Sequence, residues 1–116
     1  MVNTAGTIIY FSKDLEQLTG HMASEAVGKT LDLIIPETFR ERHWTGFRKA
    51  MATGHSGIDG MCAIIPVLCS DKQVRNLAGR FQLLIDPMGN SLGALVSYIP
   101  AELANPSFHV VGQPFS

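Results

Sequence analysis

The sequence carries almost no net charge. Nine lysines and arginines against ten aspartates and glutamates leave −1 at pH 7. That balance provides no electrostatic footprint for a nucleic acid or an anionic membrane surface. Long apolar runs are missing too, and none approaches the ~20 residues a helix needs to span a bilayer. The first residues lack a basic stretch followed by an apolar core, so no secretory signal is expected. Cysteine is scarce: Cys62 and Cys69 are the two in the chain. They stand seven positions apart in a strand-like stretch, which puts them on opposite faces and disfavours a disulfide. The expected compartment is a reducing cytoplasm. Cys-x-x-Cys-His, Gly-x-Gly-x-x-Gly, P-loop and Gly-x-Ser-x-Gly patterns are all absent, which excludes those nucleotide, hydrolase and covalent-heme fingerprints. Cys62, Cys69 and His55 lack the close spacing of a zinc site.

What is present is the composition of one compact domain, 46% hydrophobic and 16% charged over 116 residues, with enough chain for a single core. Thr7-Ile8-Ile9-Tyr10-Phe11 reads as a short strand after Gly6. Ser12 is placed to cap a short helix carrying Leu15 and Leu18 and closed by Gly20. Residues 24–28 and 30–35 read as single turns. A long helix over about 37–52 follows Pro36 and stops at Thr53-Gly54. The remainder reads as β: Met61 to Leu68, with Pro66 marking an edge or a bulge; Val74 to Ile85; and Ser91 to Ile99. Turns at Ser70-Asp71-Lys72 and Asp86 to Asn90 separate them. The order is that of an α+β domain with helices on one face of an antiparallel sheet.

One histidine stands out. On the long helix, Phe39, Gly46, Phe47, Ala50 and Met51 share a stripe, and His43 lies four residues from both Phe39 and Phe47. Positions three and four apart share a helix face, so His43 points with the apolar stripe. An unpaired buried polar group costs about 1–3 kcal/mol, so the imidazole needs a partner, either a backbone carbonyl across the core or a ligand. His21, His55 and His109 read instead as loop or tail residues exposed to solvent. Arg75 and Arg80, five apart in one strand, point to opposite faces and receive no role.

The order of elements resembles the PAS sensor domain. The carrying residues are Gly6 to Ser12, Leu18-Thr19-Gly20, Val27-Gly28-Lys29-Thr30, Ile35-Pro36-Glu37, Arg42-His43, Thr53-Gly54 and Gly89. The resemblance covers nearly all of residues 5–100, making 1–100 a PAS domain and 101–116 a tail. It implies a sheet of about five strands with the helices on one face, holding a ligand between the layers or serving as a dimerising relay. One departure is that only Met1 to Ala5 precede the turn at Gly6, so the first, central strand of the family is largely missing. We expect Phe108 to Val111 to replace it, from the same chain or a partner, unless the chain is a piece of a longer protein.

The segment Pro36 to His43 is similar to the one that carries the heme-ligating histidine in two gas-sensing branches of the family. The resemblance makes His43 an axial ligand of heme b. In an oxygen-sensor phosphodiesterase of that kind, a methionine 18 residues later is the sixth ligand, and Met61 stands at that spacing here. A shift of one residue would put Cys62 there instead. In oxygen-sensing kinases an arginine follows two positions further on, where this chain has Ala63. Gly46 would leave room for a flat ring, with Trp44, Ile64, Leu83 and Leu95 lining the pocket. The reading is a cytoplasmic bacterial sensory module without catalysis of its own, binding heme b and responding to a diatomic gas or to redox state. Its expected partners are a second copy in a homodimer and an effector domain, with no nucleic acid and no membrane. The alternatives are a ligand-free dimerisation module and a pocket for an apolar or carboxylate metabolite.

Overall fold

The computed structural model describes residues 1–56, 60, 62–100 and 109–110. Helix α1 (Lys13–Thr19) begins where the Ser12 hydroxyl accepts from the Leu15 amide at 3.1 Å. It ends at Gly20, whose φ of 80° lets its amide reach back to the Glu16 carbonyl. A single helical turn, α2 (Ala23–Ala26), and a 3-10 turn at Leu31–Leu33 follow. The long helix α3 (Glu37–Thr53) closes at Gly54, φ 71°. Three strands then form a meander: β1 (Cys62–Leu68), β2 (Val74–Ile85) and β3 (Ser91–Pro100). A two-residue strand, β4 (His109–Val110), completes the sheet in the order β3-β2-β1-β4. Among the described residues no helix is long and apolar enough to cross a membrane.

The turns follow their side chains. Between β2 and β3, the Asp86 carboxylate accepts from the amides of Met88 and Asn90, and Gly89 takes φ 85°. Between β1 and β2, Lys72 sits at φ 67° and Asp71 accepts from the Gln73 amide. Arg75 forks onto Asp71 at the surface, an exposed pair of small energetic weight. Pro66 lies where β1 has β2 on one side but is already past its two-residue pairing with β4, the edge position that proline requires.

The expected strand at 7–11 is reduced to single bridges, and the first-strand gap closes differently from expectation. Val2 bridges Ile8 on one side and Ala94 of β3 on the other. Its amide donates to the Ala94 carbonyl at 2.9 Å, and its own carbonyl accepts from Ala94 at 3.1 Å. The chain then reverses because the Asn3 side chain accepts from the amides of Ala5 and Thr7 and Gly6 adopts φ 80°. Three residues therefore occupy the central place. Within the chain, the described part of the tail lies elsewhere: His109–Val110 pair in parallel with Ala63 and Ile64 at the far edge of β1, while Val2 holds the bridge to Ala94. Phe108 and Val111 lie outside the described residues.

The core gathers Val2, Ile8, Phe11, Leu15, Ala26, Ile34, Val67 and Leu77. It occupies one end of the space between helices and sheet. His21 belongs to it rather than to solvent: it is 9% exposed, and its Nε2 lies 3.1 Å from the Leu68 carbonyl. Cys69 is a buried free thiol.

Candidate functional site

The stripe read from the sequence becomes a wall. Phe39, Arg42, His43, Gly46, Phe47, Ala50 and Met51 of α3 line a cavity of about 700 Å³. Across it, the sheet contributes Ala63 and Ile65 from β1, Phe81 and Leu83 from β2, and Ala94, Val96 and Tyr98 from β3. Register explains these residues, although Pro66, Gln82 and Leu95 from the alternate positions border the cavity as well. Phe81 pairs with Val96, Leu83 with Ala94, and Gly79 with both Ala63 and Tyr98. Directly paired residues share a sheet face. Ile8, Phe11 and Leu15 close one end. Small residues at 46, 63 and 94 leave the layers apart where larger ones would fill the gap. Among the described residues, Arg42 is the one basic lysine or arginine side chain on this lining, and no carboxylate side chain joins it.

His43 is half-buried, its ring stacked on Phe47 (centroids 5.9 Å apart, 22° between planes) and set edgewise to Trp44 at 5.0 Å. Its Nδ1 is shielded from solvent and has no hydrogen-bond partner. The carbonyl across the core is therefore not found for this nitrogen. Burial pushes the imidazole pKa below the ordinary histidine value, and the nearby Asp32 charge opposes this without reversing it. His43 is thus neutral at neutral pH. The unfolded chain takes up its proton near pH 6.5, the folded chain only lower. Stability from this group is therefore complete above that value and is lost as the pH falls through it toward the folded value. We expect urea midpoints measured at pH 7.5 and 5.5 to separate more for the parent than for His43→Phe. Equal separation would mean that the ring is solvated.

The other expected site residues divide. Gly46, Leu83 and Leu95 border the cavity, but Trp44 and Ile64 do not. Trp44 is one residue, about 100° of helix, past His43. Its Nε1 donates to Asp32 Oδ1 at 2.7 Å, and the ring borders an outer groove of about 470 Å³ with Thr4, Thr30 and Arg48. Ile64 lies between the inward Ala63 and Ile65, on the opposite face of β1. Met61 lies outside the described residues, and they contain no group of three or more His, Cys, Asp or Glu placed to hold a metal. Phe47 borders both the cavity and the outer groove.

Tyr98 was not singled out from the sequence. It is partly buried and borders the cavity, and desolvation pushes its hydroxyl pKa up to about 12. The signal was the alternation Ala94-Leu95-Val96-Ser97-Tyr98. Its even positions face the helices, and the last of them carries a polar tip.

No protein-family model matches the chain, and no curated protein matches it. Solved structures do. The chain is similar to the PAS domain of the protein from Colwellia psychrerythraea, with TM-score 0.68 and 18% identity over 84% of this chain and 80% of that one. It is similar to Drosophila melanogaster Cycle PAS-B with bound ethylene glycol, with TM-score 0.62 and 10% identity over 84% and 95%. The PAS domain of the Cronobacter turicensis quorum-sensing receptor RpfR, in complex with BDSF, gives TM-score 0.59 and 14% identity over 84% and 88%.

Proposed function

From the PAS fold that this chain adopts, we propose a sensory, signal-transducing module that holds a ligand between α3 and the sheet and carries out no catalysis of its own. The observation behind the reading is the largely apolar cavity of about 700 Å³ between α3 and the sheet, which His43 lines. The cavity is within the ~300–1,000 Å³ range of small-molecule sites.

Heme b is the leading ligand. When bound, it supplies an iron centre that takes an imidazole nitrogen and responds to a diatomic gas or to redox state. The neutral ring of His43 is the protein's donor. Arg42 can meet the acidic substituents, Gly46 and the apolar walls accept the macrocycle, and Met61 is the proposed second donor by resemblance. The second reading is an apolar or carboxylate metabolite. It is favoured by the lack of a fixed acceptor at Nδ1, because metal-ligating histidines ordinarily donate their other N–H to a fixed acceptor. Two of the PAS domains above are solved with a bound molecule, ethylene glycol in one and BDSF in the other. A homodimer, and an effector in the same or a partner chain, complete the proposal.

An absorbance spectrum tests it, taken as isolated and after adding hemin, for the parent and His43→Ala. We expect a sharp Soret band in the parent that His43→Ala removes or broadens. A parent that gives no specific band retires heme and leaves the metabolite pocket or the ligand-free dimerisation module.

A further inference from the structure

We propose that Tyr98 is a ligand-binding residue of the cavity: its hydroxyl donates a hydrogen bond to an acceptor oxygen of the bound molecule. The ligand class is then a largely apolar body carrying an acceptor oxygen. The proposal rests on the reading that the cavity holds a ligand, and it adds a second polar anchor to His43.

Three observations converge on it. First, Tyr98 lines the cavity from β3, while His43 lines it from α3. The two polar tips therefore belong to the two layers of the domain, and a ligand meeting both links helix to sheet. Second, no hydrogen bond to the Tyr98 hydroxyl occurs among the described residues. The hydroxyl is not among the shielded polar atoms, so it is open on the side of the cavity that the residue lines. The raised pKa keeps the proton in place, so the group acts as a donor at any physiological pH. Third, the residues in register with Tyr98 are Gly79 and, beyond it, Ala63. Neither has a side chain able to hydrogen-bond. The rung offers the phenol no hydrogen-bonding neighbour, and the space over Gly79 is taken by the apolar side chains of Ile65 and Val96. No carboxylate among the described residues lines the cavity to compete for the proton.

A structural role and a binding role give opposite results for one conservative change. In Tyr98→Phe the ligand-free protein melts at or above the parent's temperature, because an unpaired hydroxyl has been removed. Recognition of an acceptor oxygen is lost. The probes are 9-fluorenone and fluorene, which share a rigid apolar skeleton and differ by a carbonyl against a methylene. Affinities are read by NMR titration of the full chain. We expect the parent to prefer fluorenone by about three- to tenfold, the worth of one hydrogen bond. In Tyr98→Phe that preference falls to near one. Both probes binding with the preference intact in Tyr98→Phe would overturn the role of Tyr98 and leave the cavity reading standing. If neither probe binds the parent, this inference falls, and the hemin spectrum decides the cavity reading separately. A second readout uses Tyr10→Phe, which leaves Tyr98 as the one tyrosine in the chain. Its ionisation, followed at 295 nm, moves further upward with saturating fluorenone if the hydroxyl is the donor, and stays unmoved if it is not.

Discussion

Gly93→Ala is expected to lower stability by about 3 kcal/mol, combining backbone strain with weakened hydrogen bonds. The reason is a close approach of two backbones. Gly93 lies at φ 149°, and an added Cβ would fall on the Val2 carbonyl oxygen, with Val2 C and Asn3 Cα just behind it. Neither neighbour is a flexible side-chain end, so the first residues must move away from β3. That movement breaks the paired bonds between Val2 and Ala94. It also lifts Val2, 5% exposed, off Ile8, 2% exposed. The position sits beside an irregularity that already bends the strand. Leu84 pairs with Gly93 and Ile85 with Ser91, leaving Leu92 unpaired, and such bulges often place a glycine where backbones approach. For a domain with about 5–15 kcal/mol in total, the loss is a large share. Thermal unfolding should show a fall of about 10 °C or more, with the amides of Val2 and Ala94 losing exchange protection first. A change within a degree or two would mean that the first residues are not part of the cooperative fold.

How much of this was legible in the sequence depends on the periodicity that carried each residue. The stripe from Phe39 to Met51 was legible because helical spacing tolerates small errors. A boundary wrong by one residue still leaves His43 between Phe39 and Phe47. The caps at Ser12 and Gly20 and the turn at Asp86 to Asn90 were legible because their chemistry is local. Strand faces were not. A slip of one residue sends every side chain to the other side of a sheet, and that is how Ile64 was expected where Ile65 stands, and how Tyr98 was passed over beside Leu95. His21 was misplaced because its partner, the Leu68 carbonyl, is 47 residues away. Val2 was missed for a related reason. A strand of three residues has no pattern to read, and its worth comes from Ile8 and Ala94 on either side. That the space beside His43 is a cavity rather than filled core is a property of the packing as a whole, and no single residue declares it.

Phe47→Ala should be the second most damaging change and the one that most alters the site. Truncating a buried phenylalanine costs about 3–5 kcal/mol, and we place this one near 3 because the side chain is only partly buried. The ring does three things at once. It stacks on His43, meets Trp44 edge-on at 5.4 Å with 88° between planes, and forms part of both the inner cavity and the outer groove. Removing it joins the two spaces and lets water reach His43 from the side of Trp44 and Asp32. The desolvation that holds the imidazole pKa down is then relieved, while the Asp32 charge continues to favour the proton. The His43 pKa should therefore rise toward or past the ordinary histidine value, which an NMR pH titration of its ring proton reads directly. Hemin and fluorenone should both bind more weakly, since one wall of the cavity has opened. Phe47→Leu keeps a side chain in the partition, so its effect on stability and on the His43 titration should fall between parent and alanine. If Phe47→Ala instead unfolds in urea close to the parent and leaves the His43 titration unmoved, the ring is not the partition between the two spaces. The burial of His43 would then have to come from the sheet side of the cavity.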